Sequence, residues 1–544
     1  MGASLPDRRH RRAAEPQRAS AGHPCRRGGR VSTGRAFSVA LVGVEGAIVE
    51  VEAALGGGLP RMVIVGLADA ALGEARERCR AAVHSQGLGW PTQLVTVNLS
   101  PATLPKAGSH YDLAIVTSVC AAADRFDSEV LDRMVLLGEL GLDGRVRSVR
   151  GLLPALLAAV AAGFSTAVVP ACQLGEARLV EGLTIWGVDD LLDLVAVLVG
   201  DPPAQVVPAT DEPAGSAESG KDLIDVVGQL EAKWAVEVAA AGRHHIFLHG
   251  PPGVGKTLLA ERLPGLLPDL DQSEALEVSA IHSLAGLPLH DGLVRRPPYA
   301  DPHHSASLAS IVGGGARMAL PGSISRAHRG VLFLDEAPEF SPRVIEALRV
   351  PLESGRVVLG RAMVHAVYPA SFQLVLAANP CPCGNAGTRG AECRCAPMAV
   401  RRYTERISGP ILDRVDIHHH LAPMSRTYLK AAQSSGESTA AVAARVAEAR
   451  ARQQRRLAQH GWRTNGEVPG PALRRLLPLP RGVELLDEAV SRGRLSARGV
   501  DKVIRLSWTI ADLAGADLPN RDHLHTALAM RRGEQLGEVS RARA

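Results

Sequence analysis

Short runs of β-branched and aliphatic residues, FSVALVG, AIVEVEAAL, MVIVG, LVTVNLS, TAVVP and TIWGV, recur between Phe37 and about Gly200. Between them lie stretches of helical period such as ALGEARERCRAAVHSQG, and this alternation predicts an α/β domain. Inside it, MVLLGELGLDGRVRSV sets Asp143-Gly144 between two strand-like runs, which predicts a hairpin. The pattern then stops. DPPAQVVPATDEPAGSAESGKD, Asp201 to Asp222, is rich in Pro, Ala, Gly and Ser without any period and predicts a flexible linker. A second α/β pattern opens at Leu223, and from about Ser425 the chain reads as helical, as in TAAVAARVAEARARQQRRLAQHG and SARGVDKVIRLSWTIADLAG. The chain therefore divides into 37–200, 201–222, 223–424 and 425–544, preceded by residues 1–36, and it contains no internal repeat.

A length of 544 residues exceeds what one core can organise, and 46% apolar with 22% charged residues leaves burial unrestricted. The net charge of +5 is too small for this size to imply nucleic acid, although it permits a local basic path. Residues 1–36 are rich in Arg, Pro and Gly and have no apolar segment of a secretory signal. They are expected to be a disordered basic tail, read as a non-folding extension, with a nucleic-acid-binding arm as the alternative. The Arg-rich late helices are read as solvated faces, with a nucleic-acid surface as the alternative. The longest apolar run, GLLPALLAAVAAGF, contains Pro154 and is too short to span a bilayer, so a cytoplasmic protein without a membrane partner is expected. Its cysteines are then thiols or metal ligands rather than disulfides.

HHIFLHGPPGVGKTLLAERL places an apolar strand, Ile246 to His249, before a glycine-rich loop and a helix. Gly250, Pro251, Pro252, Gly253, Val254, Gly255, Lys256 and Thr257 have the spacing G-x-x-x-x-G-K-[ST] of a loop that cradles the phosphates of ATP. Backbone N–H groups and the helix N-terminus attract the anion, Lys256 bridges phosphate oxygens, and the Thr257 hydroxyl is suited to Mg²⁺. GVLFLDEAPEF delivers Asp335 and Glu336 at the end of a buried strand, Val331 to Leu334. Asp335 is expected to hold Mg²⁺ through water, and Glu336 to orient and deprotonate the attacking water. A third strand, FQLVLAAN, ends in Asn379, whose amide is suited to holding that water.

The combination of HGPPGVGKT, DPHHSASLASIVGGG, PGSISRAHRGVLFLDEAPEF, AANPCPCG and ISGPILDRVDIH resembles the magnesium-chelatase-like branch of AAA+ ATPases, and more closely its ComM/YifB subfamily, from about Phe37 to Arg531. The resemblance implies an α/β multidomain protein with a P-loop core carrying a four-cysteine insert and a C-terminal helical lid. It also implies that Arg414 in ILDRVD is the arginine finger, that Arg498 in LSARG is the sensor-two arginine, and that the protein is a homo-oligomer, a hexameric ring. VNLSPATLPKAGSHYDLAIVTSVCAAA with GRVRSVRGLLPALLAAV resembles the Lon protease domain, a ribosomal S5 domain 2-like fold. His110 stands at the register of that family's serine and Leu153 at that of its lysine, so a peptidase-dead domain is expected, since leucine cannot accept a proton.

Cys381, Cys383, Cys393 and Cys395 form C-x-C-x9-C-x-C around a loop-forming GNAGTRGAE. Four thiolates on two knuckles can surround structural Zn²⁺, the alternative being reduced surface thiols. Such a metal would pin the loop leaving Asn379 and so the route to Arg406–Arg414. His303 and His304, adjacent on a loop, cannot easily share one metal and are assigned by resemblance to the helix-two insert rather than to a metal. The residues themselves point to an ATPase, and the resemblance implies an ATP-driven motor on single-stranded or branched DNA, a helicase or branch-migration factor in recombination or natural transformation, with recombination proteins as partners. The alternative is a magnesium-chelatase motor subunit that remodels a protein partner during metal insertion.

Overall fold

Alternate residues of Glu45–Gly56 point inward, Val49, Val51 and Ala53 being buried while Glu50 and Glu52 face outward, as a half-buried strand requires. The computed structural model describes residues 32–534 except 67–69, 107, 127, 202–220, 290–291, 316–318, 361–364, 388–391 and 425–435. Glu45–Gly56 pairs antiparallel with Ser32–Val42 across a turn at Gly43 and Val44. Gly43 has φ +65°, and a Cβ there would lie 2.6 Å from the Val367 carbonyl oxygen, so both backbone freedom and close approach call for glycine.

These strands belong to a seven-stranded mixed sheet in the order 61–65, 94–100, 45–56, 32–42, 134–136, 166–170, 184–188. One face is covered by the helices Ala70–Ser85 and Asp112–Ala122, the other by Leu152–Ala161. The Asp143-Gly144 turn joins the short antiparallel pair Glu139–Leu140 and Val146–Arg147. The first strand starts at Ser32, inside the stretch 1–36 expected to be disordered. Its early residues have partners: the Ser32 hydroxyl donates to the Ala122 carbonyl at 2.5 Å, and Arg35 pairs with Asp132 at 2.7 Å. The remainder of that stretch, 1–31, lies outside the described residues, as does most of the expected linker, 202–220. Asp222, expected to close the linker, is instead a fixed cap. It accepts hydrogen bonds from the Ile224 N–H at 3.1 Å and the Thr439 N–H at 2.7 Å, and its carbonyl accepts from Arg262.

A second sheet of five parallel strands runs in the order 299–300, 331–334, 373–378, 246–249, 417–420. Val331–Leu334 and Gln373–Ala378 are buried along their whole length, which is why they read as nearly continuous apolar runs. The helices Leu230–Gly242 and Lys256–Leu266 cover one face, together with the C-terminal helices Thr439–Leu457, Ala497–Leu513 and Arg521–Arg532. The two sheets meet where Leu152–Ala161 packs beside Gln272–Ala285; Ala280 and Leu289 enter the core of the first sheet, and the Leu153 N–H reaches the Ser283 hydroxyl at 3.4 Å.

Of the arginines of Thr439–Leu457, Arg455 is exposed, but the others do not form a solvated face. Arg445 chelates Glu237 at 2.7 and 2.9 Å, Arg450 donates to the Ala240 carbonyl, and Arg456 grips Asp512 at 2.7 and 2.9 Å while stacking on Trp508. They bolt this helix to Leu230–Gly242 and Ala497–Leu513, so little of its positive charge is left for a polyanion.

Beside this seam, Lys502 and Asp416 form a buried ion pair at 2.8 Å. Burial alone would raise the Asp416 carboxyl, but the Lys502 ammonium outweighs it and holds the group well below the usual carboxylate range. His244 and His245 adjoin the pair, and burial pushes both down to about 4. Independently, the His245 Nδ1 accepts from the Leu374 N–H at 3.0 Å, which requires a neutral nitrogen. His249, His418 and His419 are likewise pushed by burial to about 4. A histidine depressed in the folded state and near 6.5 when unfolded takes up more protons on unfolding between those values. The thermal midpoint is therefore expected to stay level above about pH 7 and to fall as pH drops from about 6.5 towards 4, a profile that calorimetry across this range checks.

Candidate active site

The register His249↔Ala378 and Leu334↔Leu376 ends three neighbouring parallel strands at nearly the same height, so the loops leaving them meet. Ligands of open parallel sheets bind beyond such carboxyl ends. The loop after His249 turns through Gly253 at φ +76° and Gly255 at φ +96°, conformations that a Cβ opposes, and then enters the helix Lys256–Leu266.

Lys256 is buried and curls back over the loop, donating to the carbonyls of Gly250 at 2.8 Å and Pro251 at 2.9 Å and to Asn379 Oδ1 at 2.9 Å. Burial lowers its pKa, with Asp335 and Glu336 pulling the other way. The Thr257 hydroxyl donates to Asp335 Oδ2 at 2.8 Å, and the other carboxylate oxygen of Asp335 accepts the Glu336 N–H at 2.8 Å. The structure thus brings Lys256, Thr257, Asp335, Glu336 and Asn379 to one place. Glu336 has φ +49°, a left-handed backbone that costs a residue with Cβ about 1 kcal/mol or more. Its side chain is about half exposed.

Arg414 and Arg498 are brought together as well, but elsewhere. Both reach Glu353 Oε1, Arg414 at 2.5 Å and Arg498 at 3.4 Å, and Arg498 also pairs with Asp413 at 3.2 Å. Neither forms an ion pair with Asp335 or Glu336 of its own chain. The Arg414 side chain is only 9% exposed, and its Nε is buried without a partner.

The four cysteine sulfurs lie within 4.8 Å of one another, the single cluster of three or more potential metal ligands among the described residues. Sγ of Cys381 is 3.3 Å from that of Cys383 and 3.7 Å from that of Cys393, and Cys383 and Cys393 are 3.7 Å apart. A tetrahedron with Zn–S of about 2.3 Å has edges of about 3.8 Å, so the donor set fits zinc. The knuckle abuts the phosphate loop: a Cβ on Gly384 would meet Pro252 Cδ at 2.5 Å. Beyond it, Arg406 pairs with Glu339 at 2.8 Å and donates to the Pro338 carbonyl, tying the segment towards Arg414 to the turn after Glu336.

Sequence reasoning missed two contributors. Gln229, at φ +50°, spans from the Val254 carbonyl to that of Ala422 with its amide, closing the phosphate loop against the chain leaving the last strand. The Gly228-Gln229 pair before a helix was the available signal. His304, assigned to an insert, has its Nδ1 3.5 Å from Glu336 Oε2.

In the N-terminal sheet, His110 Nε2 contacts the Val39 carbonyl at 2.8 Å, Ser109 donates to the Glu139 carboxylate, and the buried Lys106 donates to the Pro101 carbonyl. Leu153 is buried against the second unit.

Comparison with known proteins places these features in context. Residues 222–429 match the family described as magnesium chelatase, subunit ChlI; residues 51–173 match subunit ChlI of Mg-chelatase; and residues 436–531 match its C-terminal segment. The chain is 52% identical over 505 residues to an uncharacterised protein of Mycobacterium tuberculosis, covering 92% of this chain and 99% of the relative. It is 39% identical to the uncharacterised protein YifB of Escherichia coli and 37% identical to the competence protein ComM of Haemophilus influenzae. Each of these two alignments spans 91% of this chain and 96% of the relative.

Proposed function

This chain belongs to the magnesium-chelatase-like AAA+ proteins of the ComM/YifB type, and from that premise we propose that it hydrolyses ATP as a homo-oligomeric ring, a hexamer, and acts on DNA. The observation that carries the ATPase reading is the meeting of Lys256, Thr257, Asp335 and Asn379 through hydrogen bonds of 2.8 to 2.9 Å, with Glu336 beside them. Lys256 exchanges loop carbonyls for phosphate oxygens, because its ammonium donors already point along the loop that would hold them. Thr257 and Asp335, an alcohol and a carboxylate at hydrogen-bond distance, are the pair that would hold Mg²⁺, which neutralises phosphate charge when bound. Glu336 takes the proton of the attacking water while the Asn379 amide orients that water.

The DNA reading leans on the name competence protein borne by one relative and on the family's ring assembly. The internal use of Arg445, Arg450 and Arg456 removes one argument for it. No helix among the described residues is long and apolar enough to cross a membrane. Wild type with ATP and magnesium is expected to move or dissociate a four-way junction, with binding that weakens steeply as salt rises. Glu336→Gln should bind the junction without moving it. ATP turnover indifferent to single-stranded and branched DNA would count against DNA as the polymer.

The cysteine knuckles are read as a zinc clip that holds the loop after Asn379 against Pro252. Protein purified without chelator is expected to carry about one zinc per chain, and Cys393→Ser to carry almost none with a lower thermal midpoint. Metal analysis finding no zinc in the wild type removes this clip. The N-terminal domain is read as a Lon-like, peptidase-dead platform, supported by Leu153 being buried in the hydrophobic cluster that Ala280 and Leu289 of the ATPase unit enter.

A further inference from the structure

The strand Tyr299–Ala300 runs parallel to Val331–Leu334 with Ala300 opposite Leu332. Continuing both chains by four residues from that pair brings His304 beside Glu336, and the contact is there: Nδ1 to Oε2, 3.5 Å. Among the described residues, no other basic group lies within 4 Å of the Glu336 carboxylate.

The neighbouring histidine explains how His304 is aimed. His303 Nδ1 accepts the Ser305 N–H at 3.3 Å and lies 2.8 Å from its hydroxyl, while the Ala306 N–H donates to the His303 carbonyl at 2.9 Å. The two imidazole rings lie against each other with centroids 4.1 Å apart and planes tilted by 34°. His303 therefore closes a tight turn, and His304 is carried on it with its ring edge towards Glu336. The His-His pair splits into a turn-former and a partner for the acidic residue, a division invisible in the sequence.

The geometry points to His304 as a positioning residue for Glu336, donating from Nδ1 to the carboxylate so that its free oxygen faces the attacking water. Glu336 needs such a partner. Its backbone is left-handed and its side chain is about half exposed, so the carboxylate has several rotamers open to it and loses entropy when fixed. A separation of 3.5 Å is long for a hydrogen bond, and contacts of catalytic groups shorten once substrate is bound. A carboxylate pinned at one oxygen and free at the other presents its proton acceptor in a fixed direction, and misplacement of such a group by about 1 Å costs up to a hundredfold in rate.

This rests on the reading of Glu336 as the general base, and the test separates the two. In the full-length protein, His304→Leu is expected to lower kcat for ATP by about ten- to a hundredfold with KM within about twofold of wild type. His304→Asn, which keeps a neutral donor near the Nδ1 position, should restore most of the rate, and His304→Leu should add little in a Glu336→Gln background. A purely structural role would depress the leucine and asparagine variants alike, or move KM, and either result overturns the inference. So does wild-type turnover in His304→Leu, which leaves the ATPase reading intact. Absence of turnover in the wild type takes both down.

Discussion

Glu336→Gln is expected to lower ATP turnover by roughly a hundred- to ten-thousandfold while nucleotide binding persists. Glutamine keeps the size and polarity of the side chain but cannot accept the proton of the attacking water. The groups read as gripping the triphosphate, Lys256 and the turn through Gly253 and Gly255, do not contact the Glu336 side chain through any hydrogen bond, so affinity should survive. Lys256→Ala makes the contrast, because it removes the ammonium on which the loop carbonyls and Asn379 converge and should lose binding together with turnover. Steady-state turnover alongside equilibrium binding of a fluorescent ATP analogue reads both variants. Turnover by Glu336→Gln within about tenfold of wild type would assign the base elsewhere, since a lost general base costs more than that.

Arg414→Ala is expected to reduce turnover by about a thousandfold or more, the scale of an arginine finger. Within one protomer Arg414 is folded onto Glu353 and makes no ion pair with Asp335 or Glu336, so a direct role in hydrolysis requires the active site of a neighbour. Arg498 shares the same Glu353 oxygen, which places the two guanidinium groups side by side, Arg414 buried and Arg498 about half exposed. Mixing Arg414→Ala with Lys256→Ala subunits tests the arrangement without ambiguity. Neither protein alone should turn over ATP, but mixed rings contain interfaces with an intact loop on one side and an intact finger on the other, and activity should return. Wild-type rates in Arg414→Ala, or no recovery on mixing, would refute the trans assignment.

The strand Val331–Leu334 was legible residue by residue, because a strand buried on both faces leaves an unbroken apolar run and the polar residues that end it are conspicuous. Asp335 and Glu336 were legible for the same reason, standing at the end of such a run, and Lys256 was legible from the spacing of the glycine-rich loop before it. Ser32–Ala36 was misread because glycine, arginine and hydroxyl residues look like tail until their partners, Asp132 and the Ala122 carbonyl, are known to lie across the fold. Arg445 and Arg456 of Thr439–Leu457 were misread in the same way. Charge on a helix suggests water when the carboxylates that absorb it, Glu237 and Asp512, are far away in the chain.

The sequence by itself determined the local chemistry: which loop can wrap a phosphate, which strand ends carry acids, and which four thiols are close enough along the chain to share a metal. Those are properties of short spacings and backbone preferences. Only the tertiary structure decided which distant groups meet. The parallel register that brings His304 to Glu336, the carboxylate of Glu353 that gathers Arg414 and Arg498, and the packing of Leu153 against the helix bearing Ser283 all depend on long-range strand pairing and helix docking, which local patterns do not encode.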